Sequence, residues 1–166
     1  MVPGMSNDRR LFLGLMGTTV FGLATYLAGR GTDASAANYE VRRSDADWKR
    51  RLGPQRYAIL RQEGTERPFS SPLLKERRKG IFACAGCGLP LFSSKTKYDS
   101  GTGWPSFYAA LPNAIGTSRD TTLGMVRVEE HCRRCGGHLG HIFADGPRPT
   151  GKRHCINGLS LTFRAA

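Results

Sequence analysis

Five cysteines offer the clearest chemistry in this sequence, and their spacing divides them into four and one. Cys84 and Cys87 form one C-x-x-C-G pair, and Cys132 and Cys135 form a second. Four thiolates in a tetrahedral arrangement are a preferred ligand set for Zn²⁺, and a tight turn at each pair brings both sulfurs onto one ion. The spacing therefore predicts one structural zinc site with four cysteine ligands and no open coordination position.

Two other uses of these four cysteines compete with zinc. Exported proteins often pair cysteines in disulfides, and a C-x-x-C pair can also serve as a redox dithiol. Two matched pairs favour the metal site over both alternatives. A closed zinc site of this kind contributes on the order of 10–16 kcal/mol of apparent binding energy that is coupled to folding.

Cys155 stands outside both pairs, in the segment Arg153-His154-Cys155-Ile156-Asn157. The thiolate is the nucleophilic form of cysteine, and nearby positive charge can lower the thiol pKa into the reactive range. Arg153 supplies such a charge, and the amide of Asn157 can donate hydrogen bonds. A free cysteine is also commonly buried and inert. Local composition alone does not decide whether Cys155 is a reactive thiol or a buried, inert cysteine.

Short strands and turns are the elements that must position these cysteines. Apolar runs separated by Gly, Ser, Asn and Asp predict strands at 80–84, 89–92, 124–128 and 160–163. Before them, residues 45–60 predict a short helix pair broken at Gly53-Pro54, because proline fits the first turn of a helix. The predicted fold class is mainly antiparallel β with a short N-terminal helical lead-in.

Residues 1–37 have the composition of an export signal. Arg9-Arg10 precedes an uncharged, mildly apolar stretch at 11–29 and a small-residue run at 34–36, an order typical of a removable signal peptide. The Arg-Arg-x-Phe-Leu order is similar to the twin-arginine signal. We predict a signal peptide at 1–37, a linker at 38–45 and a periplasmic location. The alternative is an uncleaved membrane anchor, since about 20 apolar residues span a bilayer.

The net charge of +12 is the strongest compositional signal. A net charge this positive is typical of proteins that bind nucleic acid, anionic membranes or acidic proteins. It also fits a solvated basic surface, which we favour because no basic run exceeds three residues. Charge alone therefore does not decide the function.

Several blocks of the sequence, taken in order, resemble those of the type B methionine-R-sulfoxide reductases. The blocks are GTERPF at 64–69, SGTGWPSF at 100–107, HLGHIFADGP at 138–147 and RHCIN at 153–157, together with both cysteine pairs. The resemblance identifies 46–166 as the catalytic domain and implies two antiparallel sheets, with zinc at the end away from the active site. It also implies reduction of the R epimer of protein-bound methionine sulfoxide through a sulfenic acid intermediate.

The same resemblance implies roles for individual residues. Cys155 is the attacking thiol, and Trp104 and Phe143 bind the substrate. The implied polar members of the catalytic pocket are His138, His141, Asp145, Arg153 and Asn157. Sulfoxide reduction needs a thiolate and a nearby acid, because the oxygen is a poor leaving group until it is protonated. The implied cofactor is one structural Zn²⁺, and the implied substrates are oxidised proteins.

Residue 102 is a departure from the family pattern, in which many members have a resolving cysteine at that position. This chain has Thr102. With four cysteines on zinc, none remains to form an internal disulfide with Cys155. We therefore expect a sulfenic acid that a thioredoxin-like protein or a small thiol reduces directly. We also expect a monomer with no nucleic-acid partner and no stable membrane association after signal cleavage.

Two other functions are alternatives to methionine sulfoxide reduction. A basic zinc module that binds nucleic acid would explain the charge and the cysteine pairs. It would leave Trp104, both histidines and Cys155 without a role. An exported, zinc-stabilised thiol oxidoreductase acting on disulfides is the other alternative.

Overall fold

The computed structural model describes residues 39–166, so the predicted signal peptide at 1–37 lies outside the described residues. The described part contains one α-helix, α1 at Asp45–Gln62, and nine strands. The strands are β1 Gly80–Cys84, β2 Pro90–Ser93, β3 Lys97–Tyr98, β4 Ser106–Phe107, β5 Ile115–Asp120, β6 Arg127–Cys132, β7 His138–Phe143, β8 Arg153–Ile156 and β9 Leu161–Ala165. The prediction of a mainly β fold with a helical lead-in is confirmed.

The strands form two antiparallel sheets, as expected. The smaller sheet has the order β2-β1-β9, and the larger has the order β3-β4-β8-β7-β6-β5. All the strand pairings are antiparallel. Since β8 and β7 lie in the middle of the larger sheet, residues on these two strands are held by pairing on both sides.

The helix α1 contains the predicted break. Ser44 caps its first turn by accepting a hydrogen bond from the Asp47 amide at 3.1 Å. Gly53 has φ 68° and ψ 170°, which interrupts the helix, and Pro54 then begins the second segment. Among residues 39–166, no helix combines the length and the apolar character that crossing a bilayer requires.

One predicted strand is wrong in its first half. Residues 124–128 were expected to be extended, but Thr122–Gly124 forms a 3-10 turn that ends with Gly124 at φ 69°. A left-handed residue of this kind redirects the chain, so β6 begins only at Arg127. The other three predicted strands correspond to β1, β2 and β9 within one or two residues.

An aromatic cluster joins the two sheets in the core. Phe82 on β1, Phe92 on β2 and Phe107 on β4 are fully buried. The Phe92 and Phe107 rings stack at a centroid distance of 4.4 Å, and Phe82 meets Phe107 edge-on at 5.0 Å. Aromatic pairs of this geometry add to the free energy of burial. The core therefore supports β4 and, through it, the middle of the larger sheet.

Candidate active site and metal centre

The sulfur atoms of Cys84, Cys87, Cys132 and Cys135 lie within 4.8 Å of one another. The Cys87 and Cys132 sulfurs are 3.5 Å apart, and those of Cys84 and Cys135 are 3.7 Å apart. A disulfide would bring two sulfurs to about 2.05 Å, and all four cysteines are free. Four ligands at about 2.3 Å from one tetrahedral ion would lie about 3.8 Å apart. This donor set fits a bound metal ion.

Each cysteine pair is shaped by the glycine that follows it. The Gly88 amide donates to the Cys84 carbonyl at 2.7 Å, and the Gly136 amide donates to the Cys132 carbonyl at 2.8 Å. Gly88 has φ 74° and Gly136 has φ 67°, both in the left-handed region that favours glycine. One pair begins at the last residue of β1 in the smaller sheet, and the other begins at the last residue of β6 in the larger sheet. The cluster therefore links the two sheets.

A β-bulge brings His138 and His141 to the same face of the larger sheet. In a regular strand, residues three apart point to opposite faces. Where β6 pairs with β7, Glu129 lies opposite His141 and His131 lies opposite His138, with a register shift between them. Glu129 and His131 are two residues apart and share a face, so the two histidines opposite them share it too. Their ring centroids are 5.6 Å apart.

Cys155 lies on β8 beside a small cavity. It pairs with His141 of β7 on one side and with Ser106 of β4 on the other. The cavity has a volume of about 130 Å³ and is lined by Thr65, Trp104, Arg127, Gly140, His141, Phe143, Cys155 and Asn157. Five of the residues predicted from sequence therefore share one cavity. Two of its walls are aromatic rings, and one is an imidazole.

The other three predicted residues lie around this cavity rather than in it. His138 is buried, contacts Glu129 through Nδ1 at 2.8 Å, and lines a neighbouring cavity of about 230 Å³ together with His141. Arg153 donates to both carboxylate oxygens of Asp145, at 2.8 and 2.9 Å, and its guanidinium lies 4.3 Å from the centre of the Phe143 ring. Arg153 and Asp145 thus support a wall of the cavity from outside.

Asn157 lines the cavity, and both polar atoms of its amide form hydrogen bonds to the backbone. Its Nδ2 donates to the Leu139 carbonyl at 3.1 Å, and its Oδ1 accepts from the Glu66 amide at 3.0 Å. Glu66 extends this support, because its carbonyl accepts from the Trp104 indole at 3.1 Å. Its carboxylate accepts from the amides of Gly158 and Leu159. The buried Glu66, which the sequence analysis missed, therefore positions two walls of the cavity.

Asp120, Arg127 and Glu129 are further site residues that sequence reasoning missed. Asp120 contacts His141 Nε2 at 2.7 Å and accepts from Arg127 at 2.6 Å. Glu129 contacts the Nδ1 atoms of His131 and His138, each at 2.8 Å. The period-two order of charged residues at 127, 129 and 131 was an available signal for a polar strand face. No feature of the local sequence marks Asp120.

The electrostatics of the site keep the Cys155 thiol and the neighbouring His141 imidazole uncharged at neutral pH. Burial raises the pKa of the Cys155 thiol, while the Arg153 guanidinium and the Thr102 hydroxyl act to lower it. Arg153 thus acts in the predicted direction, but burial outweighs it. Burial lowers the pKa of His141, and the Asp120 carboxylate offsets this only in part. The free site therefore contains a thiol beside a neutral imidazole.

Residues 52–165 match the SelR domain family model. The chain is 56% identical over 128 residues to the peptide methionine sulfoxide reductase MsrB of Leptospira interrogans, covering 76% of this chain and 98% of that protein. It is 54% identical over 125 residues to the protein of the same name from Agrobacterium fabrum, covering 75% and 93% of the two chains. Its identity to the one from Methanosarcina barkeri is 53% over 129 residues, covering 77% and 91%. The chain therefore belongs to the SelR-domain family, together with these MsrB proteins.

Proposed function

We propose that this protein reduces the R epimer of methionine sulfoxide in oxidised proteins, with Cys155 as the nucleophile. The observation that carries the proposal is the cavity in which Cys155 meets Trp104, Phe143 and His141. A volume of about 130 Å³ suits the end of one side chain rather than a large ligand. Membership of the SelR-domain family favours this function over a nucleic-acid-binding module.

In the first half-reaction, the Cys155 sulfur attacks the sulfur of the sulfoxide. An S–S bond forms as the S–O bond of the substrate breaks, and the oxygen leaves as hydroxide with the proton that came from the thiol. The hydroxide then attacks the Cys155 sulfur, and the S–S bond breaks to leave a sulfenic acid on Cys155. Methionine is released with its sulfur reduced by two electrons, and Cys155 is oxidised by two electrons. The sulfenic acid is the reversible first step of cysteine oxidation, so the enzyme can be regenerated.

The reaction also needs a proton on the sulfoxide oxygen, and a neutral thiol supplies both the nucleophilic sulfur and that proton. His141 is the imidazole that lines the cavity with Cys155. It can take the thiol proton and pass it to the oxygen as the S–O bond weakens. In this role, His141 is the general acid, and Asp120 holds its ring in place through Nε2.

Selectivity for one epimer follows from three fixed neighbours of the sulfoxide sulfur. The oxygen must lie towards His141, the methyl group towards Trp104, and the peptide-bearing chain towards the open mouth of the cavity. Exchanging the oxygen and the methyl group would place the oxygen on an aromatic ring without a hydrogen-bond donor. The R preference itself comes from the family resemblance, in which one enzyme serves each epimer.

In the second half-reaction, an external thiol reduces the sulfenic acid. Thr102 stands beside the nucleophile, with its Oγ1 3.9 Å from the Cys155 sulfur. A thiol from a small molecule or a thioredoxin-like protein attacks Cys155, and water leaves. A second thiol of the reductant then releases Cys155 and forms the reductant's disulfide. Two thiols are oxidised for each methionine formed.

The ion that best fits the four-cysteine cluster is Zn²⁺. It accepts four thiolates tetrahedrally and has no redox chemistry, which suits a site that shares no residue with the Cys155 cavity. Cys84, Cys87, Cys132 and Cys135 would hold the ion. Its role is to hold the two sheets together.

We propose that the chain is exported through a twin-arginine route and acts as a monomer in the periplasm, or at the membrane if the signal is retained. The support is the Arg9-Arg10 segment with its apolar stretch and the small-residue run at 34–36. The proposed division is a signal at 1–37, a linker at 38–45 and a catalytic domain at 46–166. The linker contacts the domain, since the Val41 amide donates to the Arg134 carbonyl at 3.0 Å and Tyr39 lies edge-on to His131.

The test is turnover of peptides that contain either resolved epimer of methionine sulfoxide, with dithiothreitol as reductant and methionine formation as the readout. The full chain should reduce the R epimer and leave the S epimer unchanged, and peptides should be better substrates than the free amino acid. The matched control is Cys155→Ser, which keeps the shape of the cavity and removes the nucleophile. Equal turnover of both epimers, or full activity in the Cys155→Ser protein, would refute the proposal.

A further inference from the structure

Three hydroxyl groups form a continuous hydrogen-bonded chain that starts at Cys155. The Thr102 hydroxyl lies 3.9 Å from the Cys155 sulfur, and the Ser100 hydroxyl lies 2.8 Å from that of Thr102. Ser100 is in turn 2.7 Å from the Ser106 hydroxyl, and Ser106 can donate to the Trp104 carbonyl at 3.1 Å. Ser106 is fully buried, so the far end of the chain is shielded from water.

The number of hydrogens in this chain depends on the protonation of Cys155. Each hydroxyl has one hydrogen to donate, and the chain contains four contacts between Cys155 and the Trp104 carbonyl. When Cys155 is a thiol, its S–H donates to Thr102, and every hydroxyl donates onwards until Ser106 reaches the carbonyl. All four contacts then have a hydrogen.

When Cys155 is a thiolate, three hydrogens remain for four contacts. The sulfur can now only accept, so Thr102 must turn its hydrogen towards it. Ser100 then donates to Thr102, and Ser106 donates to Ser100. The direction of the whole chain is reversed, and the contact without a hydrogen moves to the Trp104 carbonyl at the other end. A neutral carbonyl tolerates this loss better than a buried thiolate would.

We propose that Thr102, Ser100 and Ser106 form a hydroxyl chain whose direction follows the charge of Cys155: Thr102 donates to the thiolate, and the two serines complete the chain when Cys155 is a thiol. The proposal rests on the role of Cys155 as nucleophile. Thr102 touches the reacting sulfur, and the two serines act through it as positioning residues. The chain assigns a function to the threonine at position 102, which the family pattern alone marks only as a missing cysteine.

The two ends of the chain should have opposite effects on the pKa of Cys155. Removing the Thr102 hydroxyl takes away the donor to the thiolate, so the pKa should rise. Removing the Ser106 hydroxyl leaves that donor in place. It removes two contacts from the thiol form, Ser100 to Ser106 and Ser106 to the Trp104 carbonyl, but only one from the thiolate form, Ser106 to Ser100. The thiol is therefore destabilised more, and the pKa should fall. A purely structural role for these side chains gives no reason for opposite signs.

Other charged and titratable groups surround Cys155, and they are the same in all these variants. The groups on the neighbouring strands and loops are Arg153, Glu130, His141, Arg127, Tyr98 and, through its ion pair with Arg153, Asp145. Tyr98 is the strand-pairing partner of Ser106, but the Ser106 hydroxyl bonds Ser100 and the Trp104 carbonyl rather than any of these side chains. A shift that differs in sign between Thr102 and Ser106 variants therefore comes from the chain.

The experiment measures the pKa of Cys155 from the pH dependence of its alkylation by iodoacetamide. The full-length, metal-loaded protein is used, and peptide mass spectrometry separates Cys155 from the four clustered cysteines. Thr102→Val should raise the pKa by about one unit, and Thr102→Ser should restore it. Ser106→Ala should lower the pKa, and Ser100→Ala should lower it too, which keeps the test open if the buried Ser106 variant does not fold.

An unchanged or lowered pKa in Thr102→Val would overturn the proposal. So would a rise in the folded Ser106→Ala or Ser100→Ala protein. Alkylation needs no sulfoxide, so the result is independent of turnover. If the pKa values shift as expected but no methionine is formed from the sulfoxide peptides, the proposed reductase function fails and the hydroxyl chain stands.

Discussion

His141 lies directly opposite Cys155 where β7 pairs with β8, and both residues line the same cavity. The imidazole is held from the far side by Asp120 of β5, at 2.7 Å from Nε2. The Cys155 thiol and the His141 imidazole are thus fixed by strands of one sheet rather than by loops. Strand pairing of this kind holds reacting groups at a nearly constant separation, which favours a concerted transfer of the proton and attack by sulfur.

Replacing His141 should slow the chemical step. His141→Gln keeps a polar side chain but cannot transfer a proton, so sulfoxide reduction in a single turnover should fall by about 100-fold or more. The comparison variant is His138→Gln, which should lose less because His138 lines the neighbouring cavity. Rapid-quench measurement of methionine formed per enzyme provides the readout. Equal losses in the two variants would contradict the assignment of the proton transfer to His141.

The Asp120 carboxylate should set the acidic limb of the pH–rate profile. Its negative charge raises the pKa of His141 against the lowering effect of burial. Asp120→Asn removes the charge, so the imidazole should lose its proton at a still lower pH, and the acidic limb should move in that direction. The measurement is kcat/KM for the R-sulfoxide peptide between pH 4 and pH 9. A shift to higher pH would contradict this electrostatic role.

Glu66 should make stability depend on pH in a direction unusual for a carboxyl group. Burial raises its pKa, although the Gly158 and Leu159 amides partly offset this. A carboxyl with a higher pKa in the folded state binds more protons there, so it favours folding at low pH and opposes it as pH rises above the ordinary value. The free energy of unfolding lost in Glu66→Gln, measured in urea, should therefore be larger at pH 4 than at pH 8. The opposite order would mean that the amide contacts outweigh burial.

Loss of one metal ligand should unfold the domain rather than slow the reaction. Cys84→Ser removes one of four donors that link the two sheets, and structural zinc sites contribute much of the folding free energy of small domains. Metal analysis should give one zinc per chain in the wild type and none in this variant, and circular dichroism should show loss of cooperative thermal unfolding. Cys155→Ser is the matched control and should retain both. Active wild-type protein without zinc would refute the metal assignment.

Oxidised enzyme should hold a sulfenic acid and no internal disulfide. After one equivalent of substrate without reductant, the intact mass should increase by one oxygen, and one thiol should be lost. A dimedone probe should label Cys155. Thr102→Cys places a thiol where the hydroxyl now lies 3.9 Å from the Cys155 sulfur, so this variant should lose two thiols and form a disulfide. Loss of two thiols in the wild type would show that a clustered cysteine acts as the resolving partner.

Apolar runs were sufficient to predict the strands of the smaller sheet but not the strands of the site. β1 and β2 contain buried phenylalanines and stand out in the sequence. β7 and β8 place histidines, an arginine and a cysteine on the face of the cavity, so their polar residues conceal the strand pattern. Both faces of the sheet are buried near the site, so these strands lack the alternation of apolar and polar residues by which a strand is recognised in a sequence.

The cysteine cluster was predictable because its constraint is local, whereas the support of the cavity is not. Each C-x-x-C-G pair needs only its own turn, and the two turns are built alike. Glu66 and Asp120 act on residues far along the chain, such as Gly158 and His141. No spacing rule connects such partners before the fold is known. Physical contact between distant segments is the information that the sequence alone lacks.

The bulge in β7 fixes the number of residues between His138 and His141. His138 and His141 face the same side only because one extra residue is accommodated between them. Deleting Leu139 would restore a regular strand and turn one imidazole towards the aromatic core, since a slip of one residue exchanges the faces of a strand. Insertions and deletions should therefore be tolerated in the connection at 121–126, while the spacing between the two histidines stays fixed.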